Sequence, residues 1–411
     1  MKKHFLDRQD CCGCAACAQV CPRHCIGMSS DAEGFLYPVI DAELCVDCHL
    51  CEKVCPVLQP SDERLPLKAY GAVSHDREEQ EQSSSGGVFS VLAHEVLRTG
   101  GVVFGARYDD LWQVKLDYVT TEGQLPLLRS SKYVQARVDN AYVDALRFLK
   151  EGRNVLFSGT PCQIAGLRHF LRDSYDNLLT VDVACHGVPS PKVWSDYLES
   201  ATRLVNRKKA NIIVSAHDRN PYMCAFIDNL ILRPSCYHCK MKNGRSGSDI
   251  TIADFWGVQQ ICPSIYDDRG TNLVLVNSSR GLDAFHRLSL KRQEVTYDAV
   301  LRDNPALIQS YTPNPKRDYF FAELQKANDV VALIERCFRL PLVRRVKHMV
   351  RQLTERLKGL HGAPADVFEK TSSLPAAGWT KEHISQVNFR SKRRGWGNSC
   401  LEIKWDNKAQ T

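Results

Sequence analysis

Two cysteine runs sit near the amino terminus, Cys11, Cys14, Cys17, Cys21 and Cys45, Cys48, Cys51, Cys55. They repeat one spacing, CxxCxxCxxxC, and each closes on a proline, Pro22 or Pro56. Few sequence patterns constrain a fold more tightly. In a two-cluster ferredoxin, three thiolates of one run and the distant fourth cysteine of the other surround each 4Fe-4S cubane. The first cluster then takes Cys11, Cys14, Cys17 and Cys55, and the second takes Cys45, Cys48, Cys51 and Cys21. Zinc sites use two CxxC pairs and leave the third cysteine and the CP ending without a role. A disulfide framework is disfavoured too, because Met1-Lys2-Lys3-His4 leads into the motif with no apolar signal stretch. Cys12 and Cys25 fall outside the frame and read as non-ligand cysteines beside the cluster shell.

A chain of 411 residues with 44% apolar and 25% charged side chains has the size and composition of two or three globular domains. No apolar run approaches the length of a membrane span, so the expectation is a cytoplasmic protein, peripheral to a membrane at most. The net charge of +7 is local: Arg336 to Lys358 holds eight Lys or Arg against one acid, Glu355. Val343, Val346, Val350, Leu353, Leu357 and Leu360 recur there at steps of three and four, which predicts a basic amphipathic helix over 341–360. Such a helix packs on its own domain or docks on a partner or an anionic membrane surface. Nucleic-acid binding is not expected, since no recognised module accompanies the charge.

The polar stretch Gln59 to Leu67 marks a boundary after a module spanning 1–60. Beyond it strands and helices alternate. A helical repeat at Val88, Val91, Leu92, Val96 and Leu97 ends at Gly100-Gly101 and gives way to Val102 to Phe104. Val155 to Phe157 leads through a turn into another helix, and Leu178 to Val183, Ile250 to Ile252 and Leu273 to Val276 read as strands. Ser83-Ser84-Ser85-Gly86-Gly87 stands before the first helix, where small residues and free N–H groups favour phosphate. Ser158-Gly159-Thr160-Pro161 repeats that setting, with Thr160 as N-cap and Pro161 at the first helical position. Two such turns favour a nucleotide or flavin phosphate at the strand ends. Cys162, Cys185, Cys236 and Cys239 remain. Their spacing alone leaves buried thiols, zinc or a third metal site open.

Seven segments, from Ser84 to Asn277, carry a family pattern: SSGGVFSVLAHEVLRTGGVVFGA, LRSSKYVQARV, LFSGTPCQIAGL, VACHGVPSPKVW, LRPSCYHC, SDITIADFWGV and GTNLVLVN. Together they resemble the family of coenzyme F-420 hydrogenase/dehydrogenase beta subunits. The version with an amino-terminal two-cluster ferredoxin resembles bacterial members, and plant hydroxymethyl-chlorophyll reductases are related. The resemblance implies FAD bound by Ser84, Ser85, Gly86, Gly87, Ser130, Ser131, Lys132, Tyr133, Gly159 and Thr160. It also implies a third 4Fe-4S cluster held by Cys162, Cys185, Cys236 and Cys239. Lys132 and Arg129 become candidates to stabilise a reduced flavin, His186 to deliver a proton, and Asp249 and Asp254 either to face the flavin pocket or to hold turns. No catalytic residue is assigned.

The architecture expected is an α+β ferredoxin-like module (1–60), an α/β flavin-binding domain (68–325) and a basic helical carboxyl-terminal extension (326–362). The family's IxFRxKxxGW stretch is missing from the middle of the chain, yet Val387 to Trp396 resembles it. That suggests a displaced segment over 379–408 folding back beside residues 205–215. The function expected is an iron–sulfur flavoprotein oxidoreductase. It passes electrons between a ferredoxin or other one-electron partner and a small organic substrate through FAD. The alternative is a non-catalytic electron-transfer protein that feeds another chain.

Overall fold

The computed structural model describes residues 6–205 and 220–338. The basic helix expected over 341–360 and the 379–408 segment lie outside the described residues. The described residues up to Ile334 pack as one compact unit. No helix among the described residues is long and apolar enough to cross a membrane.

The first cysteine run folds around a short helix, Ala16–Val20, followed by the hairpin β1 (Ile26–Ser30) and β2 (Leu36–Ile40), paired antiparallel with Ile26 opposite Ile40. The second run carries the helix Leu50–Lys53. Its polar exit packs on the large domain rather than crossing solvent: Arg64 N donates to Asn243 O, and Glu63 accepts from Asn243 and Arg245.

The large domain is an eight-stranded mixed sheet. Its strands are β3 (Lys68–Ser74), β4 (Val102–Tyr108), β5 (Val114–Val119), β6 (Val155–Gly159), β7 (Leu178–Val183), β8 (Ile250–Asp254), β9 (Asn272–Val276) and β10 (Leu290–Val295), in the order β10-β3-β9-β8-β7-β6-β4-β5. The central run β4, β6, β7 and β8 is parallel. Helices Ala141–Lys150 and Pro161–Leu171 precede and follow β6, as crossovers between parallel strands require. β5, β9 and β10 run the other way. For β5 the cause is local: Asp109 Oδ1 caps the N–H groups of Leu111 and Gln113, closing a hairpin too short for a crossover.

β9 is buried along its whole length, and its side chains divide by the strand period of two. Val274 and Val276 join Leu92, Val103, Leu156, Val181 and Ile250 beneath the helix Val88–Arg98. Leu273 and Leu275 pack on the opposite face with Phe255, Val258 and Ile265. Each such side chain contributes roughly 1.5–3 kcal/mol by leaving water. The sheet therefore has two covered faces, and its polar chemistry is displaced to the strand ends.

Candidate functional site

β3, β4, β6, β7 and β8 share one direction, so the segments that follow them emerge at one edge of the sheet. Ligands of open α/β sheets bind at that edge, outside the carboxyl ends of the strands. Ser83–Gly87 follows β3, Gly159 and Thr160 close β6, Cys185 and His186 follow β7, and Asp254 closes β8.

Cys162, Cys185, Cys236 and Cys239 come from three separate places in the chain and line one cavity. Cys162 is the second residue of the helix Pro161–Leu171, which opens with Thr160 N donating to Gln163 Oε1 at 2.9 Å. Cys236 and Cys239 lie on the turn Pro234–His238 and just after it. Burial pushes the Cys185 thiol up to about 12, with Lys242 pulling against it, and Cys236 and Cys239 are likewise raised by burial. None of the described cysteines is in a disulfide. Among the described residues no three such donors close on a single ion; a cubane spreads its thiolates wider than one zinc does.

Lys242 lines the same cavity, is 8% exposed, and donates from Nζ to the carbonyls of Cys185 (2.5 Å) and Ala306 (2.6 Å). It makes no ion pair among the described residues. A buried ammonium with only neutral acceptors is costly unless an anion lies beside it. Four thiolates around an iron–sulfur core would supply that negative charge, so the donor set fits such a group. Sequence reading missed Lys242. It stands three residues after Cys239, a spacing that hints at a shared turn, but a lysine in a charged run looks solvated.

In the amino-terminal module, Cys17 lies in the field of Cys11 and Cys55, and Cys14 in that of Cys17 and Cys55. Cys21 meets Cys25, Sγ to Sγ, at 3.3 Å, and Cys25 in turn interacts with Cys45. The first set is buried, whereas Cys48 is exposed and Cys45 and Cys51 are partly so. Cys12 interacts both with Cys14 of its own run and with Cys162 of the large domain.

The two serine-bearing segments also meet. Ser131 Oγ lies 3.5 Å from Ser84 Oγ, and Ser130 Oγ donates to Gln82 O. Lys132 is half-buried and donates to Arg129 O; burial first, and Arg107 second, push it down to about 7. It makes no ion pair among the described residues. Tyr133 is held by Tyr222, whose hydroxyl donates to its carbonyl at 2.7 Å. Arg129 is different: it pairs with Glu79 and bonds Gln82, so its charge is already neutralised within the fold. The N–H of Val88, at the start of its helix, is taken by Asn272 Oδ1 at 3.2 Å.

Asp249 accepts from Thr180 N (2.9 Å), Thr180 Oγ1 (2.7 Å) and Ser278 Oγ (2.7 Å), pinning β7, β8 and the helix Ser279–His286 together. Its role is the structural one. Burial raises the Tyr133 hydroxyl to about 12, and the nearby Asp254 adds to that shift. His186 meets Asn229 Oδ1 at 2.7 Å and stacks on Tyr311 with centroids 4.0 Å apart.

Residues 152–299 match the family described as the carboxyl terminus of the coenzyme F420 hydrogenase/dehydrogenase beta subunit, and residues 10–58 match the 4Fe-4S dicluster domain. The F subunit of the F(420)H(2) dehydrogenase of Methanosarcina mazei is 25% identical, over 56% of this chain and 71% of its own. A ferredoxin of Methanocaldococcus jannaschii is 37% identical over 13% of this chain and 66% of its own. A chain from the F420-reducing [NiFe] hydrogenase complex of Methanosarcina barkeri is similar in structure with a TM-score of 0.44 and 16% identity, over 64% of this chain and 94% of that one. Residues 152–299 are thus similar to the carboxyl-terminal domain of coenzyme F420 hydrogenase/dehydrogenase beta subunits, and residues 10–58 carry the pattern of a 4Fe-4S dicluster domain.

Proposed function

We propose that this chain is an iron–sulfur flavoprotein oxidoreductase that moves electrons between a one-electron partner, such as a ferredoxin, and a small organic substrate. In this reading Cys11, Cys14, Cys17 and Cys55 hold one 4Fe-4S cluster, Cys45, Cys48, Cys51 and Cys21 a second, and Cys162, Cys185, Cys236 and Cys239 a third. The observation that carries it is the shared cavity of the last four, flanked by a buried lysine that has only carbonyl partners.

Clusters supply one-electron transfer and FAD supplies exchange between one-electron and two-electron chemistry. The chain's own residues do the rest. The exposed loop of Cys45 to Cys51 offers an external partner access, and the buried first set abuts the quartet through Cys12. Ser84 and Ser131 present adjacent hydroxyls to a phosphate or ribityl oxygen. Lys132 brings a cation with no carboxylate partner among the described residues, suited to a phosphate or to the anionic form of a reduced ring. Gly159 and Thr160, at the end of β6, would border a bound flavin.

A second reading is an electron-transfer protein that feeds another chain. It is favoured by the match to a protein named as one component of a dehydrogenase.

Anaerobic determination of iron, sulfide and flavin per chain tests the proposal. About twelve irons and one FAD support it, and about eight irons with no flavin overturn it. Cys162→Ser and Cys236→Ser should each lower the iron by about four per chain while Cys12→Ser leaves it unchanged. Reduction of the isolated chain's flavin by a small molecule separates the first reading from the second.

A further inference from the structure

Arg233 is fully buried, at 0% exposure, between the amino-terminal module and the large domain. Every polar nitrogen of its guanidinium has a neutral partner. Nε donates to Cys11 O at 2.7 Å, one terminal nitrogen to Gln135 Oε1 at 3.0 Å, and the other to Leu36 O at 3.0 Å. The plane lies over Tyr37, 4.2 Å from the ring centroid, and within 5.4 Å of Phe35. It has no carboxylate among the described residues. Arg317, the other buried arginine at this junction, is by contrast paired with Glu33.

Chain geometry ties this cation to both cysteine sets. Cys236 N donates to Arg233 O at 2.9 Å, so the quartet's turn begins at the arginine. At the other end, Gly13 of the Cys11–Cys14 loop lies against the guanidinium: a Cβ on Gly13 would sit 2.8 Å from its nitrogen and 3.0 Å from its central carbon. Gly13 is also at φ +70°, where a side chain is strained. Gln135 completes the frame, because its Nε2 donates to Cys12 O at 3.1 Å.

We propose that Arg233 is a positioning residue that clamps the loop of Cys11 to Cys14 onto the turn of Cys236. Its unpaired charge would raise the reduction potentials of the centres bound on either side. The inference rests on the assignment of those cysteines as cluster ligands. A fixed positive charge in a poorly screened interior stabilises the more negative, reduced state of a nearby thiolate-ligated centre. Three hydrogen bonds to backbone and amide oxygens leave that charge intact, whereas an ion pair would cancel it.

The test is an anaerobic EPR-monitored redox titration of the full chain, with iron counted on the same sample. In Arg233→Gln the buried centres should titrate at more negative potential. The shift should amount to at least a tenfold fall in the reduced-to-oxidised ratio at fixed potential, about 59 mV for one electron. Signal from the exposed Cys45–Cys51 centre should stay in place, and Arg233→Lys should restore most of the shift. Gln135→Glu keeps the arginine and sets a carboxylate against it, so it should lower the potential as well, and it serves if Arg233→Gln does not fold. Unmoved potentials in an iron-replete Arg233→Gln or Gln135→Glu protein overturn the proposal. An iron count of about eight removes the quartet's cluster and leaves the first ferredoxin centre as the one whose potential must move.

Discussion

Gly166 is the point where the large domain's helix Pro161–Leu171 touches a cysteine of the amino-terminal module. A Cβ placed there would lie 2.8 Å from Tyr142 Oη, 2.9 Å from Cys14 Cβ and 3.1 Å from Cys14 Sγ. Neither neighbour yields freely. Tyr142 is fully buried and its hydroxyl donates to Gln163 O at 2.8 Å. Cys14 is buried in a loop pinned by Gly13. Alanine should favour this helix by about 1 kcal/mol over glycine. Against that stand an overpacking cost of about 1–3 kcal/mol and, if the tyrosine ring shifts, a lost hydrogen bond of about 0.5–1.5 kcal/mol. With the tyrosine shifted, Gly166→Ala should therefore be net destabilising by about 0.5–3.5 kcal/mol, and displacement of Cys14 should reduce iron loading at the first centre. Gly123 is the control: nothing lies within 4 Å of its would-be Cβ, so Gly123→Ala should be neutral or stabilising by up to about 1 kcal/mol. Anaerobic denaturant unfolding with iron counted per chain compares the two. A Gly166→Ala protein as stable as Gly123→Ala, with full iron, would show that the helix and the cysteine loop are not in contact.

Asp249→Ala strands the buried Thr180 N–H and removes two hydroxyl partners, at a cost of about 3 kcal/mol. Its urea midpoint should fall while iron and flavin per folded chain hold, and an unmoved midpoint or a selective loss of flavin refutes the structural role. Lys132 has a folded value near 7, from burial and then Arg107, against about 10.4 in an unfolded chain. Burying its ammonium therefore weakens the fold most below pH 7, and the penalty fades as pH rises toward 10. Lys132→Met should stabilise the flavin-free protein at pH 6 and do so progressively less by pH 9. A pH-independent difference between the two unfolding curves would contradict the depressed value.

Local pattern alone made several elements readable. Val102–Phe104, Val155–Phe157 and Leu178–Val183 lie within β4, β6 and β7, and the Val88 repeat became the helix Val88–Arg98. Apolar runs bounded by glycine and turn residues state their own secondary structure. β3, β5 and β10 were not legible. β10, Leu290–Val295, carries Lys291, Arg292, Gln293 and Glu294 in succession, and only pairing with β3 makes a strand of it. The hairpin β1–β2 was hidden in the same way, since its register depends on Cys25 and Ile26 packing beside the cysteine runs.

The doubled cysteine spacing determined by itself that this chain carries a dicluster module, because the ligand geometry of two cubanes is written within 45 consecutive residues, Cys11 to Cys55. Tertiary structure decided what the module is joined to. Cys162, Cys185 and the Cys236–Cys239 pair share a cavity because β6 and β7 end on one edge of the sheet and the following turns fold over it. Arg233 and Lys242 acquire meaning only there. In the sequence they are ordinary basic residues beside a CxxC. In the fold they are buried cations with neutral partners, and a buried charge takes its energy from whatever surrounds it in space.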